Sequence, residues 1–341
     1  MDLSYSEDQR SLLEVFADFF AKESTIERVR AAEPLGFDER LWNQIVQTGA
    51  PTMAVPEKLG GGGATMLDLV LVAEEFGKRI APIPFVEVAS TARMLANAGA
   101  STLVDAFIEG TVIATFSPRP AANGVARLVP AGAIADVVVV LDGDELVALQ
   151  RSSERPYATP PKNLGTAPIA DIDVRNGWSS RTVLATGPEA HSLVASAATE
   201  WRLLMAAALL GIGLEAHSIG NEYVKVRKAF GVQLGWFQTI AHRLADCYTD
   251  LEGARMLVDE AAWALDENEP NAEALVAMAF LFLSEKAFKT ASESLHFHGG
   301  YGYTLEYDIQ LYFRRAKAWP LGLGYPRDEY QRLAGLLFEK K

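Results

Sequence analysis

Two short stretches carry the residue types that most need a chemical explanation. The first, "VRKAFGVQLGWFQ" (226–238), sets Arg227 beside Lys228, then places Phe230 and Gly231, then Phe237 and Gln238. Two cations and a ring at a glycine-marked bend suit a phosphate joined to a flat heterocycle, because guanidinium and ammonium groups pair with phosphate oxygens and also lie against ring faces. The second, "HFHGGYGYTLEY" (296–307), interleaves Gly299, Gly300 and Gly302 with aromatic residues. Glycines at that density let a ligand approach the main chain. Each stretch, taken singly, also fits a helix–helix connection with capping glycines.

The other candidates have plainer explanations. The glycine run 60–63 lacks the third glycine of G-x-G-x-x-G and the Lys-Ser/Thr of a P-loop, so it reads as a flexible loop. Cys247 falls in an apolar stripe with Leu244 and Leu251 and reads as a buried thiol. His217 and His242 read as ordinary helix residues. Glu293 and His296 form an E-x-x-H pair, but a di-iron bundle needs a second copy and two further glutamates, and no second copy is present. No metal is expected.

These residues must be positioned by three kinds of texture. Residues 1–110 read as helices broken by Gly/Pro loops: Ser6 and Gln9 form a capping box before "SLLEVFADFF", and "DERLWNQIVQTG" stops at Gly49. From 111 to 187 short β-branched runs such as "ADVVVVLDGDELVAL" predict a small, mostly antiparallel β-domain. The stretch "RSSERPYATPPKNLGTAP" is too rich in proline and polar residues for regular structure. From 188 to 341 the pattern is helical, with three long helices and two shorter ones, "EYDIQLYFRRAKAW" and "RDEYQRLAGLLFEK". Long helices with short connections predict a four-helix bundle, giving a mainly α protein.

Bulk properties narrow the function. At 341 residues the chain can hold two or three units with shared cores. A net charge of −13 argues against a nucleic-acid surface, which needs local Lys and Arg excess. The single Cys247 excludes an intramolecular disulfide and suits a reducing compartment. The apolar runs Leu203–Leu214 and Ala274–Ser284 fall short of the about 20 residues a bilayer span requires. The acidic start "MDLSYSEDQR" is unlike a secretory signal. A cytoplasmic protein without membrane or nucleic-acid partners is expected.

Together, and in this order within the C-terminal helices, the two stretches resemble the acyl-CoA dehydrogenase family. Its flavin-binding turn, R-x-x-F-G followed by F-Q, is matched by Arg227, Phe230, Gly231, Phe237 and Gln238. Its later H-G-G-x-G loop is matched by His298, Gly299, Gly300 and Gly302, with Glu306-Tyr307 after it and Arg314-Arg315-Ala316-Lys317 beyond. "VPEKLGGGG" and "VAEEFGK" resemble N-terminal elements of the same family. The resemblance implies a helical domain, a β-domain and a four-helix bundle, assembled as dimers or dimers of dimers. It implies FAD as cofactor, with Arg227, Phe230, Gln238, His298, Gly299 and Gly300 as its contacts, the flavin being held mainly by a neighbouring subunit. It further implies α,β-dehydrogenation of an acyl-CoA thioester: a glutamate takes the α-proton, the β-hydride passes to flavin N5, and electrons leave to an electron-transferring flavoprotein.

Against that pattern the chain departs at two places. The family's usual base falls at Leu323 in "LGLGYP", and its alternative position, just before Arg202, holds Trp201, with Glu200 one residue further back. The T-E-P-x-x-G-S-D element that cradles the flavin ring is replaced by "ATFSPRPAANGVARL", and the W-I-T-N-like strand is missing. No catalytic residue is therefore assigned. Both departures resemble the short subunits of heteromeric actinobacterial acyl-CoA dehydrogenases, in which a complete paralogue supplies the base; such complexes act in lipid metabolism, commonly in steroid degradation. The expectation is a base-lacking subunit that completes a paralogous partner's flavin site. The alternatives are a self-sufficient homo-oligomeric dehydrogenase with a displaced base such as Glu200, or a non-enzymatic, acyl-CoA-binding or structural subunit.

Overall fold

Helix α1 begins where the capping box puts it. Ser6 Oγ accepts the Gln9 N–H at 3.1 Å, the Gln9 side chain accepts the Ser6 N–H at 3.0 Å, and α1 runs Glu7–Glu23. The computed structural model describes residues 4–110, 112–152 and 158–338. In chain order its helices are α1, α2 (Ile26–Ala32), α3 (Glu39–Gln47), α4 (Met66–Lys78), α5 (Phe85–Asn97), α6 (Ser101–Ile108), α7 (Gly187–Val226), α8 (Gln238–Asp266), α9 (Ala272–Phe297), α10 (Ile309–Ala318) and α11 (Pro326–Phe338). The strands are β1 (Ala114–Phe116), β2 (Val125–Val129), β3 (Val137–Asp142), β4 (Glu145–Gln150), β5 (Ala170–Asp173), β6 (Ser180–Thr186), β7 (Lys228–Ala229) and β8 (Val232–Gln233). They divide between two units, one made of Arg28–Leu69 and Pro82–Trp201, the other of Met1–Glu27, Val70–Ala81 and Arg202–Lys341.

The first unit holds β1 to β6. A four-stranded sheet runs β1-β3-β4-β6, and β2 pairs with β5 in a separate antiparallel ribbon. The expected antiparallel pairing holds for β3–β4 and β4–β6, whereas β1 lies parallel to β3 because the chain between them detours through β2. Val138, Val140, Val147 and Leu149 pack with Ala126 and Ile172 of the ribbon. Every residue of β3 but Asp142 is buried, so both faces are covered and four successive valines replace a polar–apolar alternation. In the same unit the glycine run is a folded loop rather than a flexible one. Gly63 N–H donates to Val55 O (3.0 Å), Ala64 N–H donates to Met53 O (2.9 Å), and Arg93 Nη1 ties Ala54 O at 2.8 Å. "RSSERPYATPPKNLGTAP" forms no helix or strand over its described residues, 153–157 lying outside them.

The second unit is mainly helical, holding α1, most of α4, the later part of α7, α8 to α11 and the short β7–β8 pair. Backbones of α4 and α7 approach each other at two glycines. A Cβ on Gly77 would stand 2.0 Å from Ala208 O, and one on Gly211 would stand 2.0 Å from Glu74 O. This close approach explains glycines that helix propensity alone disfavours. Helix α7 is long and apolar enough to cross a membrane, yet 72% of its most apolar stretch is buried inside the protein, as in a core helix. Cys247 is buried, as expected, and burial pushes its thiol up.

Candidate functional site

The turn after α7 is built by a two-residue loop. Ala229 pairs with Val232 and Lys228 with Gln233, leaving Phe230 and Gly231 at the tip with φ of 54° and 87°. Positive φ at both central residues matches the primed turns that close tight hairpins, for which Asn or Gly is the comfortable first residue. A phenylalanine there is strained by about 1–2 kcal/mol, and its side chain is 97% exposed. Among the described residues its ring neighbour is Phe237, edge-on at 6.3 Å. A strained, solvated ring is a poor choice for folding, which points to a role outside the unit.

Beside the tip the sequence-predicted residues come together. The Arg227 guanidinium lies over the Tyr301 ring at 6.0 Å. Tyr223 stacks on His298 at 3.9 Å, and Tyr307 packs edge-on against His298 at 5.6 Å. His298 is itself buried, and its Nδ1–H donates to Ser294 O at 2.7 Å. Burial lowers its pKa, so the neutral ring anchors the loop from beneath. Gly299 and Gly300 are exposed, and a Cβ on either meets nothing within 4 Å. Gln238 opens α8, whose start has no side-chain cap; the Ile240 N–H is taken by Phe237 O at 2.9 Å, which leaves those of Gln238 and Thr239 open to an anion. Among the described residues neither Arg227 nor Lys228 has a carboxylate partner.

The carboxylates are arranged differently. Leu323 ends a short 3-10 turn, Trp319–Leu323, and Gly324 follows at φ 124°. Six residues past Leu323, Glu329 is buried and takes Arg202 in a fork, Nε to Oε2 at 2.8 Å and Nη2 to Oε1 at 2.7 Å. Burial pushes this carboxyl up, but Arg202, aided by Arg332, outweighs it and holds the pKa below the ordinary value. In the other unit Glu200 is buried and accepts Arg93 Nε at 3.0 Å. Glu87 accepts the Trp201 indole N–H at 3.4 Å, and burial raises its pKa. Neither Glu329 nor Glu87 stands in a motif; only the resemblance of Arg202 to a catalytic-site arginine hints that a carboxylate should face it.

The stretch standing where a flavin-ring cradle is expected turns its hydroxyls inward. Thr115 Oγ1 donates to Pro130 O at 2.7 Å and Ser117 Oγ to Arg119 O at 2.6 Å, and both residues are buried. The E-x-x-H glutamate, Glu293, accepts Arg243 Nη1 at 3.0 Å.

A mixed β unit joined to a bundle of long helices, with a cationic aromatic turn between α7 and α8, defines the acyl-CoA dehydrogenase architecture. The N-terminal domain model of acyl-CoA dehydrogenases matches residues 6–112, and the C-terminal domain model matches residues 192–333. Acyl-CoA dehydrogenase IpdE2 of Mycolicibacterium smegmatis is 31% identical over 98% of this chain and 100% of its own. The ChsE4–ChsE5 complex of Mycobacterium tuberculosis contains a chain of the same fold, TM-score 0.88 at 24% identity, covering 100% of both chains. The steroid acyl-CoA dehydrogenase Tcur3481–Tcur3483, as a G363A variant, matches with TM-score 0.83 at 25% identity over 98% of both chains. The chain belongs to the acyl-CoA dehydrogenase family, whose members are FAD-dependent oxidoreductases. Its turn fits one half of that cofactor: two cations without carboxylate partners and an uncapped helix start suit the pyrophosphate, and exposed rings suit the adenosine.

Proposed function

We propose that the chain is a base-lacking subunit of a heteromeric, FAD-dependent acyl-CoA dehydrogenase, completing the flavin site of a paralogous partner. The observation that carries this is Phe230, strained and almost wholly exposed at the tip of an otherwise well-ordered turn. A partner-held ligand gives the strain a purpose. When bound, FAD accepts the two electrons that leave the Cα–Cβ bond of the acyl thioester. Arg227 and Lys228 then neutralise pyrophosphate charge, Phe230 packs against the adenosine, and Gln238, Gly299 and Gly300 offer amide groups from α8 and the loop that His298 supports. The base comes from the partner, since Leu323 has no proton to exchange and Glu200 and Glu329 are already committed to Arg93 and Arg202.

The relative named a steroid acyl-CoA dehydrogenase favours a CoA ester of a steroid-derived acid as substrate; the proposal places the reaction in the cytoplasm, with an electron-transferring flavoprotein as electron acceptor. The test is co-expression with a longer paralogue that carries the missing glutamate. The chain alone is expected to hold little flavin and to dehydrogenate nothing. The pair is expected to show flavin absorbance and turnover, and Arg227→Ala in this chain to lower the flavin content of the pair. Turnover by the isolated chain overturns the proposal.

A further inference from the structure

A pocket of about 410 Å³ opens on the turn, lined by Asn221, Val224 and Lys225 of α7, Gln233 of β8, Trp236, and Leu244 of α8. None of Arg227, Phe230, Gln238, His298, Gly299 or Gly300 lines it. Its size suits a small ligand. Val224 and Leu244 form an apolar floor that continues into a small core with Phe297. Trp236 stands at the wall with 74% of its surface exposed. Among the described residues the side-chain carboxamides of Asn221 and Gln233 make no hydrogen bond.

We infer that this pocket is a second ligand site, taking the purine ring of an adenine nucleoside, separate from the residues assigned to the flavin. A carboxamide offers one donor and one acceptor side by side, the complement of an adenine edge. Two such groups beside an exposed indole supply paired edge contacts and a stacking face together. An acyl chain would fill the floor but leave both carboxamides unpaired, at the cost of their desolvation. An anion finds little here, because Lys225 Nζ is already bonded to Glu222 at 2.5 Å. The nucleoside, not a phosphate, is therefore the part recognised.

This inference goes beyond the proposed subunit role and does not rest on it. The test is a titration of adenosine into the isolated full chain, followed by calorimetry and tryptophan fluorescence. Saturable binding is expected, weakened at least about fivefold by Trp236→Ala, as stacking energies predict. Trp236→Phe should retain most of the affinity, and Asn221→Ala or Gln233→Ala should each weaken binding about fivefold or more. Arg227→Ala, which removes a proposed flavin contact outside this pocket, should leave adenosine affinity unchanged. Absence of saturable binding in the millimolar range overturns the inference, as does affinity indifferent to Trp236→Ala. Loss of adenosine affinity in Arg227→Ala overturns it too, since the pocket would then be the adenine end of the cofactor site. None of these failures alters the flavin content of the co-expressed pair, so the two proposals fall separately.

Discussion

Asp259 of α8 is a buried carboxylate whose charge the fold tolerates at a measurable cost. Its Oδ2 accepts the Tyr5 hydroxyl at 2.9 Å, and the side chain is 6% exposed. Around it stand Tyr5, Arg255 and Glu74, and Arg255 is already held by Glu74 through both terminal nitrogens. Burial is the largest influence and, with the Glu74 charge, outweighs Tyr5 and Arg255, so the carboxyl is pushed from 3.8 up to about 6. A pKa raised in the folded state means that the folded chain binds the proton more tightly than the unfolded chain. The resulting stability is fully present below about pH 4 and is lost as the pH rises through 6. A rise of about 2 pH units corresponds to about 3 kcal/mol in all, of which about 1.4 kcal/mol is lost between pH 5 and pH 7.5. Asp259→Asn keeps an acceptor for Tyr5 and removes the titration. Chemical denaturation of the isolated chain and the variant at both pH values isolates the effect. The variant's stability relative to the parent should be greater at pH 7.5 than at pH 5 by about 1.4 kcal/mol. An equal difference at the two pH values, or a larger one at pH 5, refutes the account of Asp259 as a charge held against its burial.

Three further outcomes follow from the same geometry. Glu329→Gln leaves the Arg202 guanidinium buried against a neutral partner and should cost about 3–5 kcal/mol by denaturation, most of it recovered when Arg202→Met and Glu329→Leu are combined. Phe230→Gly relieves a positive φ and should stabilise the isolated chain by up to about 1 kcal/mol, while the flavin content of the co-expressed pair falls; a gain in both would count against an adenosine contact. Glu87→Gln removes a carboxyl that has no cation partner among the described residues, and kcat of the pair should stay within about twofold, whereas a loss near the 10²–10⁴-fold contributed by a general base would place the base in this chain.

Local chemistry was legible in the sequence where it depends on neighbours in the chain. Ser6 and Gln9 cap α1 because the two side chains need only three residues of separation to reach each other's N–H. The stop at Gly49 and the run of β3 and β4 through Gly143 follow from single residues with positive φ. What escaped depends on distant partners. The three residues of β1 carry no periodicity, so nothing in "ATF" announces a parallel partner. The fork between Arg202 and Glu329 spans 127 positions, and the hydrogen bond from Trp201 to Glu87 spans 114. The glycines at 60–63 signalled freedom in the sequence, whereas the loop they form is fixed by main-chain bonds to Met53 and Val55.

Phe230 and Glu329 make the same point from opposite directions. A group kept for catalysis within this chain would be partly free, since a base must reach a proton and exchange it near the working pH. Glu329 is instead buried, doubly bonded to Arg202 and bonded again to Arg332, with its pKa lowered: a buried carboxylate six residues past Leu323 is spent on holding α11 to α7. Glu200 is spent in the same way on Arg93, which also fastens the glycine-rich loop. Among the described residues of the turn several groups stay unspent: Phe230 almost wholly exposed, Arg227 and Lys228 without carboxylate partners, and the start of α8 without a side-chain cap. Exposed cations without carboxylate partners, which the described residues also show at Lys58 and Lys162, add little to stability; those of the turn differ in standing beside Phe230 and the start of α8. On the proposed reading their counter-ion comes from outside the chain, as a subunit contributing to another subunit's cofactor would require.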